Sequence, residues 1–83
     1  MTDRITALVA DMRRNPQGVR FTEAVRVATH YFGAPRITGS HHKFKTPWAG
    51  EPRVNLQPVG SMAKPYQVRQ LVDAVDVLTS GKP

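Results

Sequence analysis

Residues 39 to 47, Gly39-Ser40-His41-His42-Lys43-Phe44-Lys45-Thr46-Pro47, narrow the possible folds more than any other stretch. A glycine turn opens the segment and a proline closes it. Strand side chains alternate between two faces. A strand here sends His41, Lys43 and Lys45 to one side and His42 and Phe44 to the other. Phe44 needs a core, whereas the row of cations needs water. The segment therefore demands a sheet with one covered face and one wet face.

The flanking residues supply such a sheet. Arg36-Ile37-Thr38 predicts a strand before the Gly39-Ser40 turn, residues 41 to 46 a second, and Arg53-Val54-Asn55-Leu56-Gln57 a third, stopped by Pro58 and Gly60. Parity gives an inward set of Ile37, Phe44, Val54 and Leu56. The outward set is Arg36, Thr38, His41, Lys43, Lys45, Arg53, Asn55 and Gln57, with no acid and no large apolar residue. His42 is the misfit, sent toward the core by parity and expected at its rim. The stretch Thr46 to Pro52, with two prolines and a glycine, predicts a loop in which Trp48 caps the core edge rather than stacking on a base.

Three helices are expected around these strands. Ile5, Leu8, Val9 and Met12 form one stripe over residues 3 to 13, with Thr2 or Asp3 as cap and Arg13-Arg14 as a solvated helix end. Ala24, Val27, Ala28 and Tyr31 predict a helix over residues 23 to 32, capped by Thr22 and ended by Gly33, with His30 near its negative end for structural reasons. Val68, Leu71, Val72, Val75 and Leu78 predict a helix over residues 65 to 78, with Pro65 at its first position. The order helix, helix, three strands, helix is an α+β arrangement in which the second and last helices cover the sheet.

Composition bounds the function. A chain of 83 residues makes one domain. A chain of that size buries only about 60–65% of its unfolded surface, so chemistry belongs on a surface or in a shallow groove. Lys and Arg total 12 against 6 for Asp and Glu, a formal charge of +6, which favours polyanionic partners, nucleic acid first. The absence of cysteine removes disulfide, thiolate and cysteine–zinc chemistry and is compatible with the cytoplasm. No apolar run approaches the ~20 residues of a membrane span, and no secretory signal is visible. His41 and His42 make a poor metal site, because adjacent strand residues point apart and no third ligand is near in sequence. No cofactor is expected.

A histidine set among cations suits acid–base chemistry on a phosphate-binding surface. Metal-free RNA cleavage needs a base for the 2′-hydroxyl, an acid for the leaving oxygen and cations for the developing charge. His41 is the candidate for proton transfer. Lys43, Lys45, Arg53 and Arg36 are candidates for holding phosphate, with Thr38 and Asn55 as neutral donors. No carboxylate on this face is available to orient the ring. Two alternatives use the same residues without chemistry: a plain RNA-binding module, and a domain whose basic face docks an acidic protein.

The helix–three strands–helix order, the Gly39-Ser40-His41 turn opening the second strand, and Phe44 three residues after His41 resemble the HicA toxins. These are small RNA-cleaving toxins of bacterial toxin–antitoxin pairs, with a fold like the double-stranded RNA-binding domain. The resemblance spans about residues 15 to 78. It implies metal-independent cleavage of messenger RNA, a block on translation, and a HicB-like antitoxin covering the active face. It places the catalytic histidine at His41, or at His42 if the motif slips by one. The chain departs from the family pattern in its added N-terminal helix, residues 3 to 13, and in its long 46–52 loop. A single HicA-like domain over residues 1–83 is the expectation.

Overall fold

The computed structural model describes residues 3–80. The element order is α1 (Arg4–Arg14), a single 3₁₀ turn (Pro16–Gly18), α2 (Phe21–Phe32), β1 (Arg36–Thr38), β2 (His41–Phe44), β3 (Val54–Leu56), β4 (Pro58–Val59), β5 (Met62–Ala63) and α3 (Pro65–Ser80). β1, β2 and β3 form an antiparallel sheet in that order, and β4 and β5 form a separate hairpin. The fold is a small α+β domain. Among the described residues, no helix is long and apolar enough to cross a membrane.

The strands are shorter than alternation predicts, because side chains compete for the backbone at three ends. The Arg53 N–H donates to Glu51 Oε2 (2.9 Å) and the Gln57 N–H to Gln67 Oε1 (2.7 Å), so β3 runs only from Val54 to Leu56. Past Phe44, the Thr46 hydroxyl donates to the Trp48 carbonyl (3.1 Å) and draws the chain into its loop.

Thr38 pairs with His41, so Gly39-Ser40 is a two-residue hairpin loop. Gly39 has φ 60°, the positive value that a glycine-first loop of this length uses to match strand twist. Gly60-Ser61 repeats the device between β4 and β5, with Gly60 at φ 61°. Pro58 and Gly60 therefore shape a second hairpin, where the sequence pattern suggests only the end of a strand.

That hairpin also explains where α2 begins. Val19 accepts from the Ala63 N–H (2.9 Å), the Phe21 N–H donates to Ser61 (3.0 Å), and Arg20 bridges Met62. With the chain held straight up to Arg20, the helix starts at Phe21, two residues ahead of the expected start. Arg20, not Thr22, is its N-cap, and no side chain caps it. Gly33 ends the helix as expected, at φ 87°, donating its N–H to Thr29.

Phe44, Val54 and Leu56 are buried under α2 and α3, which pack over β2 and β3. Ile37 departs from its expected inward place: it lies on edge strand β1 and is 60% exposed. His42, between Ile37 and Leu56 in register, takes the rim, edge-on to Phe21 with ring centroids 5.0 Å apart. Trp48 packs against the core, edge-on to Phe32, and donates Nε1–H to the Pro52 carbonyl (3.0 Å).

α1 rests on α2 and α3. It buries Leu8, Val9 and Met12, and Asp3 caps its start by accepting from the Ile5 N–H (3.4 Å). Each such apolar side chain contributes about 1.5–3 kcal/mol on burial. Arg13, expected to be a solvated helix end, instead forms two 2.8 Å bonds to the carboxylate of Asp76 on α3, while Arg14 pairs with Asp11. The Arg13–Asp76 pair is about half exposed on both sides (53% and 48%), so screening holds it to about 1 kcal/mol or less. Apolar burial holds α1 in place, and the ion pair adds a weak tie between its C-terminal turn and α3.

Two stability predictions follow from this geometry. A Cβ at Gly39 meets no atom within 4 Å, so Gly39→Ala carries only the backbone cost of positive φ, about 1–2 kcal/mol, read as a lower urea midpoint. An unchanged midpoint overturns the turn assignment. The second concerns Asp76, whose carboxyl is held below its ordinary range by the Arg13 hydrogen bond, with partial desolvation opposing. The hydrogen bond to Asp76 likewise raises Arg13. A depressed carboxylate contributes stability above its unfolded pKa and loses it as pH falls through the folded one. Asp76→Asn should therefore lower stability by about 1 kcal/mol or less at pH 7, with the gap closing toward pH 3; a gap that widens in acid contradicts this sign.

Candidate nucleic-acid interface

Register assembles the wet face of the sheet into two cross-strand rows. Arg36 lies opposite Lys43, which lies opposite Asn55. Thr38 lies opposite His41, and continuing the β2–β3 register by one residue puts Gln57 on the other side of His41. Lys45 and Arg53 follow just beyond the strand ends and are exposed. Five of the expected site residues, Arg36, Thr38, His41, Lys43 and Asn55, thus share one patch, flanked by Lys45 and Arg53. Among the described residues, none of Arg36, Lys43, Lys45 and Arg53 forms an ion pair.

The immediate contacts of His41 are not the lysines that alternation places beside it. Its ring is partly buried, with Nδ1 3.3 Å from Asn55 Nδ2 and Nε2 3.1 Å from Gln57 Nε2. Asn55 Oδ1 is buried without a hydrogen-bond partner. Carboxamides orient the ring where no carboxylate is at hand. Lys64 Nζ donates to Gln57 Oε1 (3.3 Å), so the cation closest to the ring through a shared partner comes from the end of the second hairpin. Gln67, only 2% exposed, reaches the same oxygen from α3 with its Nε2 (3.1 Å), and also donates to Tyr66 Oη (3.3 Å).

Sequence reasoning leaves out Gln67, Lys64 and Tyr66. A signal for Gln67 exists: it lies four residues before Leu71 and one before Val68, at the edge of the apolar stripe, where a polar residue needs a buried partner.

His42, the alternate catalytic candidate, is on the helix-covered side of the sheet. Its Nδ1 lies 3.4 Å from the Ser40 carbonyl oxygen, and its ring is against Phe21, away from the cationic rows. His30 is exposed near the end of α2, edge-on to Tyr31. Among the described residues, no three His, Asp or Glu side chains gather as a metal site. Two surface depressions lie elsewhere: one of about 340 Å³ between α1 and α2, and a shallower one beside α3 lined by Glu51, Asp73 and Asp76. Three of the six acids thus stand around α3, and of these Glu51 also reaches the edge of the sheet face, where its carboxylate accepts the Arg53 backbone N–H.

No protein-family model matches the chain, and comparison with curated proteins and with solved structures finds no match to it.

Arg36 directly opposite Lys43 is an unfavourable pairing, since like charges facing across strands destabilise a sheet. Lys43→Glu converts it to an opposite-charge pair and should raise stability by about 0.2–1 kcal/mol, measured by urea unfolding in low salt. Destabilisation by this substitution would show that the two cations do not face one another.

Proposed function

We propose that this domain acts on RNA as a HicA-like toxin, an endoribonuclease using His41 on a sheet resembling that of the double-stranded RNA-binding domain. One observation carries the reading: an exposed antiparallel sheet places a histidine row beside a row of unpaired cations. That arrangement leaves room for an RNA backbone, whose phosphates are neutralised by Lys and Arg as counterions leave.

In the proposed reaction the His41 Nε2 lone pair accepts the proton of a ribose 2′-hydroxyl. The freed oxygen attacks the adjacent phosphorus, the bond to the 5′ oxygen breaks, and that oxygen leaves with a proton. The products are a 2′,3′-cyclic phosphate and a 5′-hydroxyl end. Arg36, Lys43, Lys45 and Arg53 hold the phosphates and the charge that develops on them. Lys64, hydrogen-bonded to Gln57, is the candidate donor to the leaving oxygen. The 2′-hydroxyl must take the place of the Gln57 N–H at Nε2, so substrate binding includes displacement of that amide. The expected partner outside RNA is a HicB-like antitoxin over the same cationic face.

One observation favours a second reading, a module that binds RNA without cutting it: both ring nitrogens of His41 are already engaged by amides. Purified protein incubated with RNA in EDTA separates the two. The toxin reading expects cleavage that falls about 10²–10⁴-fold in His41→Ala, the usual worth of one positioned acid–base group, while RNA binding persists. Wild-type protein that holds RNA intact establishes the binding module instead. Binding to RNA should weaken as salt rises, and an affinity indifferent to salt sinks both. In cells, induction of the wild type should arrest growth and His41→Ala should relieve the arrest. Normal growth on induction of soluble wild-type protein removes the toxin reading.

A further inference from the structure

The amides around His41 form a chain with only one consistent direction. A neutral imidazole carries one N–H and one lone pair. The ring cannot receive donors at both nitrogens, so one of the two neighbouring carboxamides must present its oxygen. A carboxamide's oxygen and nitrogen exchange places by a half-turn, and partners decide between them.

Gln67 cannot turn. Its Oε1 accepts the backbone N–H of Gln57 at 2.7 Å, and a backbone N–H only donates. Its Nε2 therefore donates, one hydrogen to Gln57 Oε1 (3.1 Å) and the other to Tyr66 Oη (3.3 Å). Gln57 cannot turn either. Its Oε1 receives both Gln67 Nε2 and Lys64 Nζ, and an ammonium has no lone pair to offer in return. Gln57 Nε2 thus donates to His41 Nε2 (3.1 Å), which must hold the lone pair. The ring proton is then on Nδ1, and Asn55 is the residue free to turn. With Oδ1 toward Nδ1–H, it exchanges a donor–donor meeting for a hydrogen bond, while its buried, unpartnered position passes from oxygen to nitrogen.

We infer that Gln67 is a positioning residue: acting through Gln57, it holds the His41 proton on Nδ1 and keeps Nε2 as the acceptor. The tautomer so imposed is the reverse of the one a free histidine side chain favours in water. The inference deepens the proposed function and, for its catalytic meaning, rests on it: Nε2 can take a proton from a 2′-hydroxyl only when it carries none. If Gln57 turned, its oxygen would call for a proton on Nε2 and silence the base. Gln67, buried and bonded on both ends of its amide, prevents that turn.

Imidazole ¹⁵N NMR on the full-length protein above pH 8 tests this directly, with the His41 signals identified by their loss in His41→Ala. The expected wild-type pattern is the Nδ1–H tautomer. Gln67→Met, close in volume but without an amide, should shift His41 toward the Nε2–H form. Gln57→Glu offers an acceptor to Nε2 and should shift it the same way, so a failure of Gln67→Met to fold leaves the test intact. An Nε2–H pattern in the wild type overturns the inference, as does an unchanged Nδ1–H pattern in the folded variants. Cleavage assays add a second reading: Gln67→Met should lower kcat and leave KM near its wild-type value. A wild type that shows the Nδ1–H form yet leaves RNA uncut removes the proposed function and leaves the relay standing.

Discussion

The pairing of β2 with β3 is the contact on which the rest of the molecule depends. Phe44 opposite Val54 and His42 opposite Leu56 fix which side chains meet the helices. A slip of one residue would exchange the faces of the strand. His41 and Lys43 would then be pressed under α2 and α3, and Phe44 would be left in water. Leu56 is fully buried and Val54 nearly so, which makes the slip costly in apolar surface. The cationic rows are thus a by-product of apolar packing on the opposite side of the sheet.

A second constraint comes from α3. It is mostly an apolar cover, yet it brings one buried polar side chain, Gln67, to the corner where β3 gives way to β4. A buried carboxamide without partners is expensive, so its neighbours must complete it. They do so with the Gln57 backbone, the Gln57 side chain and Tyr66, and through these the core reaches the surface ring of His41. The helix that closes the core is also the element that orients the exposed face.

Much of this was legible in the sequence, for identifiable reasons. The helical stripes in α1 and α3 are long and regular, and strand parity at Phe44, Val54 and Leu56 leaves one way for the sheet to face. The misfit of His42 follows from the same alternation, and the packing role of Trp48 from the preference of a large aromatic in a loop for the edge of the core. Ile37 did not go inward because alternation gives the face of a strand but not whether a helix reaches that far. The start of α2 at Phe21 depends on contacts with residues 61 to 63, which local capping preferences at Thr22 do not contain. The Gly60-Ser61 hairpin hides behind two-residue strands too short for a periodicity. The partners of His41, Asn55 and Gln57, lie 14 and 16 positions away, and Gln57 is held in turn by Gln67 of α3, so spacing within β2 points to lysines where the fold supplies amides.

The loop between β2 and β3 carries a further consequence. Trp48 is the single tryptophan of the chain, partly buried, edge-on to Phe32 and bonded to the Pro52 carbonyl. None of those partners belongs to the hydrogen-bond set around His41. Its fluorescence therefore reports on the junction of loop and second helix, and gives the domain a built-in optical gauge of folding that substitutions at Gln57 or Gln67 do not touch.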